Sequence, residues 1–262
     1  MKVAIIGSTG WVGKAMLQLF PDAYSYTRHI GTKEQVNACD VAFVCVPSPL
    51  SATGRLDTSI VSDIIDWCTC KYIVVRSTVN PGDCDVWQRS YKNKRILHQP
   101  EYLGETPNHP LLDQKHNQFM IIGGDPEDRR VIIDLYATTY NASIKIRQVT
   151  RLESEVIKLS ENRAIAFKMM QCQELYDVCE ASGIDYYTIR EAVYGDDPRF
   201  NRWFTFVYPD KRGFNNSKCL RKDVPAWCTF AQTQGVKPVL TLGLVKKSNE
   251  YEKAARSKSD TH

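Results

Sequence analysis

The sequence predicts an α/β fold: a Rossmann-like domain with a mostly parallel sheet, followed by an all-α domain built on a long central helix. Three observations lead to this prediction. Short apolar runs alternate with helical patterns as far as residue 149, a glycine-rich turn follows the first apolar run, and neither proline nor glycine interrupts residues 150–179. Strands that alternate with helices form a parallel sheet with both faces covered.

The predicted strands are short, largely apolar runs, as expected where both faces of a sheet are buried. They cover residues 2–6, 23–27, 41–46, 72–75, 95–98, 119–122 and 143–149. Helical spacing predicts helices over residues 11–20 and 60–68. A third helix begins at Asp125 and Pro126, because aspartate favours the N-cap and proline the first turn. We therefore predict a dinucleotide-binding domain over residues 1–149.

Residues 150–250 are predicted to form a separate helical domain. Its first helix, of about 30 residues, would be roughly 45 Å long, which suggests a spine between domains or subunits. Gly183 can cap that helix, and residues 251–262 are predicted to be a frayed tail. Shorter helices are predicted over residues 185–194, 223–234 and 238–247.

Composition excludes several classes of protein. The chain has 262 residues, of which 43% are hydrophobic and 24% charged, so it is neither disordered nor fibrous. The net charge of +4 requires no nucleic acid or membrane as partner. No apolar run reaches the roughly 18–20 residues of a membrane span, and the N-terminus lacks a signal-sequence pattern. Nine cysteines is an odd count, and Cys68 and Cys70 lack a second pair for a zinc site, so we expect no metal and reduced thiols in a cytoplasmic enzyme.

Gly7, Gly10 and Gly13 lie between the first predicted strand and the first predicted helix. A phosphate there would meet free backbone N–H groups at a helix N-terminus, which predicts a dinucleotide site; a glycine turn without a ligand is the alternative. The spacing G-x-x-G-x-x-G holds one residue more than the usual G-x-G-x-x-G. Thr27 and Arg28, not an acid, follow the second strand and suit a 2′-phosphate, so NAD is expected and NADP stays open.

Six segments follow one another along the chain and carry a family likeness. They are VAFVCVPSP (41–49), VVRSTVNPG (74–82), QPEYLGET (99–106), VIKLSENRAIAFK (156–168), GFNNSKCLRKD (213–223) and VKKSNE (245–250). Together they resemble the UDP-glucose/GDP-mannose 6-dehydrogenase family. The resemblance implies oxidation of the primary alcohol of a nucleotide sugar, UDP-glucose foremost, to a carboxylate. It also implies two hydride transfers to nicotinamide cofactors, a covalent cysteine intermediate and a homodimer.

Cys219 is the candidate nucleophile. Three cations lie within three residues of it, and nearby cations favour the reactive thiolate. A thiolate that adds to an aldehyde gives a thiohemiacetal, and loss of a second hydride gives a thioester that water cleaves. An inert buried thiol is the commoner state of a cysteine, and Cys45 and Cys172, which lie in apolar elements, fit that state.

Five further residues take catalytic roles. Lys158 and Asn162 are four apart on the predicted long helix, so they share one face and can hold an oxyanion and a water, although a solvated helix face is the alternative. Asp223 can orient or deprotonate water. By the resemblance, Glu101 matches the acid for thioester hydrolysis, and Thr78 matches the threonine that positions the water.

The glycine turn, the end of the second strand and the resemblance together predict the binding residues. Those for the dinucleotide are Gly7, Gly10, Trp11, Val12, Gly13, Thr27, Arg28, Val46, Pro47, Ser48, Thr78 and Glu105. Those for the sugar are Glu101, Tyr102, Leu103, Lys158, Asn162, Arg199, Gly213, Phe214 and Cys219. Arg199 matches an arginine that reaches the sugar site of the neighbouring subunit, and Glu105 matches a second acid near the site.

Two departures from the family pattern affect the predicted sugar site. Asn215 and Asn216 replace paired glycines before the cysteine, so the pocket is expected to differ in shape. The chain also stops where family members continue into a third domain that covers the nucleotide. The basic stretch 199–223, rich in aromatic residues, is the candidate replacement, with Arg202 and Arg212 expected to bind the diphosphate; a solvated basic loop is the alternative.

Two alternative functions fit parts of the sequence. A two-electron dehydrogenase of the β-hydroxyacid type also uses a lysine and an asparagine four apart on a helix, but it lacks the cysteine. A non-catalytic nucleotide-binding homologue would account for the altered glycine turn. The joint presence of Glu101, Lys158, Asn162, Cys219 and Asp223 favours an enzyme.

Overall fold

The computed structural model describes residues 1–102, 119–140 and 144–259. The chain divides into two compact units, Met1–Lys158 and Leu159–His262. The predicted division, after residue 149, precedes the long helix, whereas the observed division falls within it. The reason is that the first turns of the helix bond to the sheet: Arg151 Nε donates to the carbonyl oxygen of Ile96 at 2.6 Å.

A parallel sheet forms the centre of the first unit. Over the described residues its seven strands are β1 Val3–Ile6, β2 Tyr24–Tyr26, β3 Val41–Val44, β4 Tyr72–Val75, β5 Arg95–His98, β6 Phe119–Gly123 and β7 Lys145–Val149. The order across the sheet is β2-β1-β3-β4-β5-β6-β7, and only the β5–β6 pair is antiparallel. The predicted mostly parallel sheet is confirmed. Strand order reverses at β1, so a crevice opens at the carboxyl ends of β1 and β3.

Helices cover both faces of this sheet. They are α1 Trp11–Leu19, α2 Lys33–Asn37, α3 Ser59–Trp67, α4 Asp83–Ser90, α5 Pro126–Tyr136 and the start of α6, Arg151–Ser182. Consecutive residues of β1 enter opposite cores: Ile5 belongs to the apolar cluster of Met16 and Ile132, and Ile6 to that of Ile64. Burial on both faces explains why this strand shows no polar alternation.

Asp125 takes the N-cap position of α5, as predicted, but its side chain bonds elsewhere. The carboxylate makes no capping hydrogen bond and instead lies 2.8 Å from the guanidinium of Arg151. Arg151 is only 7% exposed, and a buried charge without a partner costs more free energy than a backbone N–H group without one. The carboxylate therefore pairs with Arg151 rather than with the N–H groups at the start of α5. This ion pair lowers the pKa of Asp125 from its ordinary value.

The second unit is helical, as predicted. Helix α6 ends at Ser182, and the φ of 69° at the following Gly183 allows the N–H of Ile184 to donate to the carbonyl oxygen of Cys179 at 2.9 Å. The helices that follow are α7 Tyr186–Arg190, which continues into a π-helical turn, Glu191–Asp196, and then α8 Leu220–Thr233 and α9 Val239–Ser259.

Two helix boundaries in the second unit differ from the prediction. Helix α8 begins at Leu220 rather than at residue 223, because Ser217 Oγ accepts the Leu220 N–H at 3.1 Å. Helix α9 runs to Ser259 rather than to residue 247, so residues 251–259 are helical where a frayed tail is predicted. Tyr251 anchors this extension: its hydroxyl donates to Asp177, and its ring packs on a guanidinium.

Glu155 ties helix α6 to the segment that follows β4. Its side chain is fully buried, with Oε2 accepting from the Gly82 N–H at 2.5 Å and Oε1 from the Cys84 N–H at 2.9 Å. These N–H groups belong to the start of α4, where a carboxylate replaces the missing helical acceptors. Burial nevertheless raises the pKa of Glu155 from 4.5 to about 7.

This raised pKa predicts a pH-dependent stability. A group with a higher pKa in the folded protein stabilises it fully below pH 4.5 and loses that contribution as pH rises to about 7. We expect the unfolding free energy of the wild type, measured by urea denaturation, to fall by about 3 kcal/mol over this range. The Glu155→Gln variant should show no such fall. Exposed Glu153, on the same helix, provides the control Glu153→Gln, which should keep the wild-type slope. Equal slopes for wild type and Glu155→Gln would contradict the assignment.

Candidate active site

The glycine turn packs so closely that two of its glycines admit no side chain. A Cβ atom on Gly7, which has a φ of 85°, would lie 2.9 Å from the carbonyl carbon of Cys45, and one on Gly13 would lie 2.7 Å from Ser8 Cα. Gly10 is different, because its backbone is extended and the nearest atom to a Cβ there would be 3.4 Å away. The first N–H groups of α1, those of Trp11, Val12 and Gly13, have no acceptor within the helix. A phosphate therefore fits this turn.

A cavity of about 700 Å³ adjoins the glycine turn at the carboxyl ends of β1, β2 and β3. Six of the predicted dinucleotide residues line it: Gly7, Gly10, Thr27, Arg28, Val46 and Pro47. Trp11, Val12, Gly13, Ser48 and Thr78 are not among its lining residues, and the Trp11 side chain is half exposed. The structure thus brings together the turn, the end of β2 and the segment after β3.

Other residues that line the cavity are not among the predicted dinucleotide residues, and three of them carry polar or aromatic side chains that bear on binding: Lys33, Asp63 and Trp67. Lys33 is the first residue of α2, and its Nζ lies 4.8 Å from the ring centre of Trp67 on α3. Helix α2 has five residues, too few for a periodic pattern. The N-cap Thr32, whose side chain accepts from the Gln35 N–H, was the available signal for this helix.

Ser48 and Thr78 connect the segments that follow β3 and β4. Ser48 Oγ donates to the carbonyl oxygen of Thr78 at 2.5 Å, and both residues are buried. The neighbouring Ser77 accepts the Val46 N–H at 3.0 Å. These bonds hold the two segments together at the edge of the sheet.

Lys158, Glu101 and Tyr102 form a compact charged group in the first unit. Lys158 Nζ donates to the carbonyl oxygen of Glu101 at 2.6 Å and lies 3.6 Å from Glu101 Oε1. The same Nζ lies 5.0 Å from the ring centre of Tyr102. Lys158 is only 4% exposed, so its charge acts in a medium that weakens electrostatic forces less than water does. Leu103 and Glu105 lie outside the described residues.

Asn162 and Asp223 meet in the second unit. Asn162 Nδ2 donates to Asp223 Oδ2 at 2.5 Å, and Lys222 Nζ donates to Asp223 Oδ1 at 2.7 Å. Asp223 is fully buried, so these two donors stabilise its charge. Sequence spacing alone did not predict that the carboxylate would bond to the amide.

Cys219 occupies the N-cap position of α8 and is half-buried. Its carbonyl oxygen accepts the Asp223 N–H at 2.9 Å, which places the cysteine one helical turn before that carboxylate. A helix N-terminus favours the thiolate form of a cysteine. By contrast, Cys45 and Cys172 are buried, as predicted, and burial raises the pKa of Cys45 to about 12.

The remaining predicted sugar residues have structural partners. Gly213 donates its N–H to Gln173 Oε1 at 2.6 Å, and Phe214 is 1% exposed in the core of the second unit. Arg199 is exposed and lies 2.6 Å from Asp197. Across the residues that the structure describes, no cluster of His, Cys, Asp or Glu is arranged to bind a metal ion.

The arginines expected to bind a diphosphate are paired with acids instead. Arg212 lies 2.7 Å from Asp177, is 12% exposed, and packs against two tyrosine rings. Arg202 lies 2.6 Å from Glu191. Both acids precede the basic stretch in the sequence, one on α6 and one in the π-helical turn, so the composition of that stretch does not show these pairs. Arg212 therefore has an anionic partner within the unit, and its role in binding a diphosphate stays a prediction.

Two family models match the chain. The model for the NAD binding domain of the UDP-glucose/GDP-mannose dehydrogenase family matches residues 22–140, and the model for the central domain of that family matches residues 152–251. Together they cover most of the chain. No helix in the described ranges combines the length and apolar character needed to cross a bilayer.

Curated relatives agree with these matches. The UDP-glucose 6-dehydrogenase of Rickettsia typhi is 28% identical over 197 residues, covering 71% of this chain and 44% of that protein. The UDP-glucose 6-dehydrogenase of Rhizobium meliloti is 27% identical over 238 residues, covering 85% of this chain and 53% of that protein. The chain thus spans about half the length of the curated relatives it matches.

Solved structures share the fold. A UDP-glucose dehydrogenase from Pyrobaculum islandicum has a TM-score of 0.80 at 21% identity, over 95% of this chain and 68% of that one. The 3-hydroxyisobutyrate dehydrogenase of Mycobacterium tuberculosis has a TM-score of 0.70 at 13% identity, and the match covers 95% of this chain and 93% of that one.

Because Gly13 and Gly10 are packed unequally, we predict that they tolerate substitution by alanine unequally. We expect Gly13→Ala to lower the unfolding free energy by about 3 kcal/mol, because the added methyl overlaps backbone atoms. Gly10→Ala should cost about 1 kcal/mol or less, since space and an ordinary φ are available. Urea denaturation followed by circular dichroism measures both. If the two substitutions cost the same, the turn is not packed as described.

Proposed function

This chain belongs to the UDP-glucose/GDP-mannose dehydrogenase family, and on that basis we propose that it is a nucleotide-sugar 6-dehydrogenase acting on UDP-glucose or a close relative. The observation that carries the proposal is the position of Cys219 at the N-terminus of α8, one turn before the buried carboxylate of Asp223. The amide of Asn162 and the ammonium of Lys222 donate hydrogen bonds to that carboxylate. The names of the curated relatives support the choice of substrate.

The glycine turn and the adjoining cavity would hold a nicotinamide dinucleotide. The tight glycines keep the backbone accessible, and Gly10, Thr27, Arg28, Val46 and Pro47 supply the walls. When bound, the nicotinamide accepts a hydride in each of the two oxidations. The residues of this chain bind the dinucleotide, orient the sugar and manage the protons and the covalent intermediate.

The first oxidation removes one proton and one hydride from the primary alcohol and leaves an aldehyde. Lys158 is proposed to stabilise the negative charge on the oxygen as the alcohol proton passes to water. Its ammonium is buried, so it attracts an oxyanion more strongly than a solvated lysine would. Tyr102, whose ring lies beside that ammonium, is a proposed wall of the sugar site.

The second oxidation passes through Cys219. Its thiolate adds to the aldehyde carbon, a C–S bond forms, and the carbonyl electrons move to oxygen. Asn162 is proposed to donate a hydrogen bond to that oxygen. The adduct loses a hydride and becomes a thioester. The cations near Cys219 and the N-terminus of α8 support its thiolate form.

Hydrolysis completes the reaction. Water adds to the thioester carbon and passes a proton to Glu101, the C–S bond breaks, and its electron pair returns to sulfur as the carboxylate forms. Thr78 is proposed to position this water and Asp223 to orient it. The chemistry needs a reduced thiol, so we propose the cytoplasm as the compartment.

Product stoichiometry tests the proposal. With UDP-glucose, GDP-mannose and related sugars, and NAD or NADP, we expect two reduced cofactors and one carboxylate per sugar. Cys219→Ala should lower carboxylate formation at least about a thousandfold, because the covalent route is lost. Cys39→Ser, which alters another half-buried thiol, is the control and should keep the wild-type rate.

Other stoichiometries would contradict the proposal. One reduced cofactor per molecule would support a two-electron dehydrogenase of the β-hydroxyacid type. No turnover across the panel would support a non-catalytic homologue. Carboxylate formation at full rate by Cys219→Ala would exclude the thioester.

We also propose that the protein is a homodimer formed through α6, with Arg199 reaching the partner's sugar site. Helix α6 has 32 residues, and Val178 on it is 56% exposed although apolar. Light scattering after gel filtration should give twice the mass of the chain. A monomeric mass at micromolar concentration would contradict the dimer.

A further inference from the structure

The end of β2 carries positive charge and hydroxyl groups where a carboxylate would bind the ribose of NAD. We infer that the dinucleotide cavity selects a cofactor with a 2′-phosphate, and that Arg28 and Lys33, helped by Thr27, form the phosphate site. The inference rests on the proposed function insofar as that function requires a nicotinamide dinucleotide. It specifies which form of the dinucleotide this chain binds.

Thr27 is arranged to donate a hydrogen bond. It stands directly after β2, and its Oγ1 accepts the His29 N–H at 3.1 Å. With that contact made, the hydroxyl proton is available to an acceptor in the cavity that Thr27 lines. Phosphate oxygens only accept hydrogen bonds, whereas a ribose hydroxyl usually donates one to a carboxylate at this point of the fold.

Two cations line the same cavity without an acidic partner. Arg28 follows Thr27, and Lys33 begins α2 with its Nζ over the ring of Trp67. Within the described part of the chain, neither residue takes part in an ion pair. The contact with Trp67 holds the lysine at the cavity wall. Guanidinium and ammonium groups in this arrangement bind a phosphate by charge-assisted hydrogen bonds.

The turn that presents these groups is fixed by its own contacts. The Thr27 N–H donates to the carbonyl oxygen of Ile30 at 2.8 Å, and the Thr32 N–H donates to Tyr24 Oη at 2.7 Å. Gly31 has a φ of 76°, and a Cβ there would lie 2.9 Å from the ring carbon that bears the Tyr24 hydroxyl. A turn held in this way loses little conformational freedom when a phosphate binds.

Asp63 is the competing feature. It lies on α3 and also lines the cavity, so it could accept hydrogen bonds from ribose hydroxyls and favour NAD. The cavity nevertheless holds two cations against this one acid, and both cations flank the end of β2, where the 2′ position lies in this class of fold. If Asp63 instead binds the ribose hydroxyls, NAD⁺ should bind as tightly as NADP⁺ or more tightly.

Binding, rather than turnover, tests the inference. Titration calorimetry on the full chain would compare NADP⁺ with NAD⁺, and adenosine 2′,5′-bisphosphate with 5′-AMP. We expect the 2′-phosphorylated member of each pair to bind at least about tenfold more tightly. Arg28→Gln and Lys33→Gln should each reduce this preference severalfold while changing NAD⁺ affinity less than about threefold. Arg89→Gln, an exposed arginine on α4, is the charge-matched control and should keep the preference.

Three outcomes would overturn the inference, and they separate it from the proposed function. Equal or tighter binding of NAD⁺, lost in Asp63→Asn, would assign the cavity to NAD and leave the proposed function intact. A preference for NADP⁺ that survives both Arg28→Gln and Lys33→Gln would show that other residues bind the phosphate. Failure of every dinucleotide to bind would refute both the inference and the proposed function.

Discussion

The close contact between the glycine turn and its surroundings is the constraint on which the first unit depends. Gly7 abuts the backbone of Cys45 just after β3, and Gly13 abuts the backbone of the turn itself. Two strands and a helix therefore converge where side chains cannot fit. This crowding fixes the start of α1 and directs its free N–H groups at the crevice that the strand order creates. A backbone packed in this way determines where a dinucleotide can bind before any side chain contributes.

Helix α6 supplies a second organising element through its polar residues. Arg151 bonds to β5, Glu155 to the start of α4, and Lys158 to the segment after β5, all in the first unit. In the second unit, Asn162 bonds to Asp223 and Gln173 to Gly213. Because these buried groups face several elements, the helix has polar residues on more than one side. The absence of proline and glycine, rather than an apolar stripe, was the signal that identified it.

The sequence was most informative where burial imposes a pattern. The strands could be predicted because burial on both faces excludes polar residues, as at Ile5 and Ile6. Helix α2 was missed because its five residues are too few for a period, and Lys33 was missed with it. The ion pair of Arg212 was missed for another reason: its partner, Asp177, lies 35 residues earlier in the sequence, on α6. Charge pairs formed by the fold cannot be seen in a local count of cations.

The bond between Asn162 and Asp223 gives the strongest link between fold and chemistry. The carboxylate is buried and holds one N–H of the amide, while Lys222 occupies its other oxygen. The amide orientation is thereby set, because only its nitrogen can donate to the carboxylate. In the proposed reaction, the second N–H of the amide donates to an oxygen that gains negative charge. In that reaction Asp223 positions the amide in addition to orienting water, so a buried charge that is costly for folding serves the proposed chemistry.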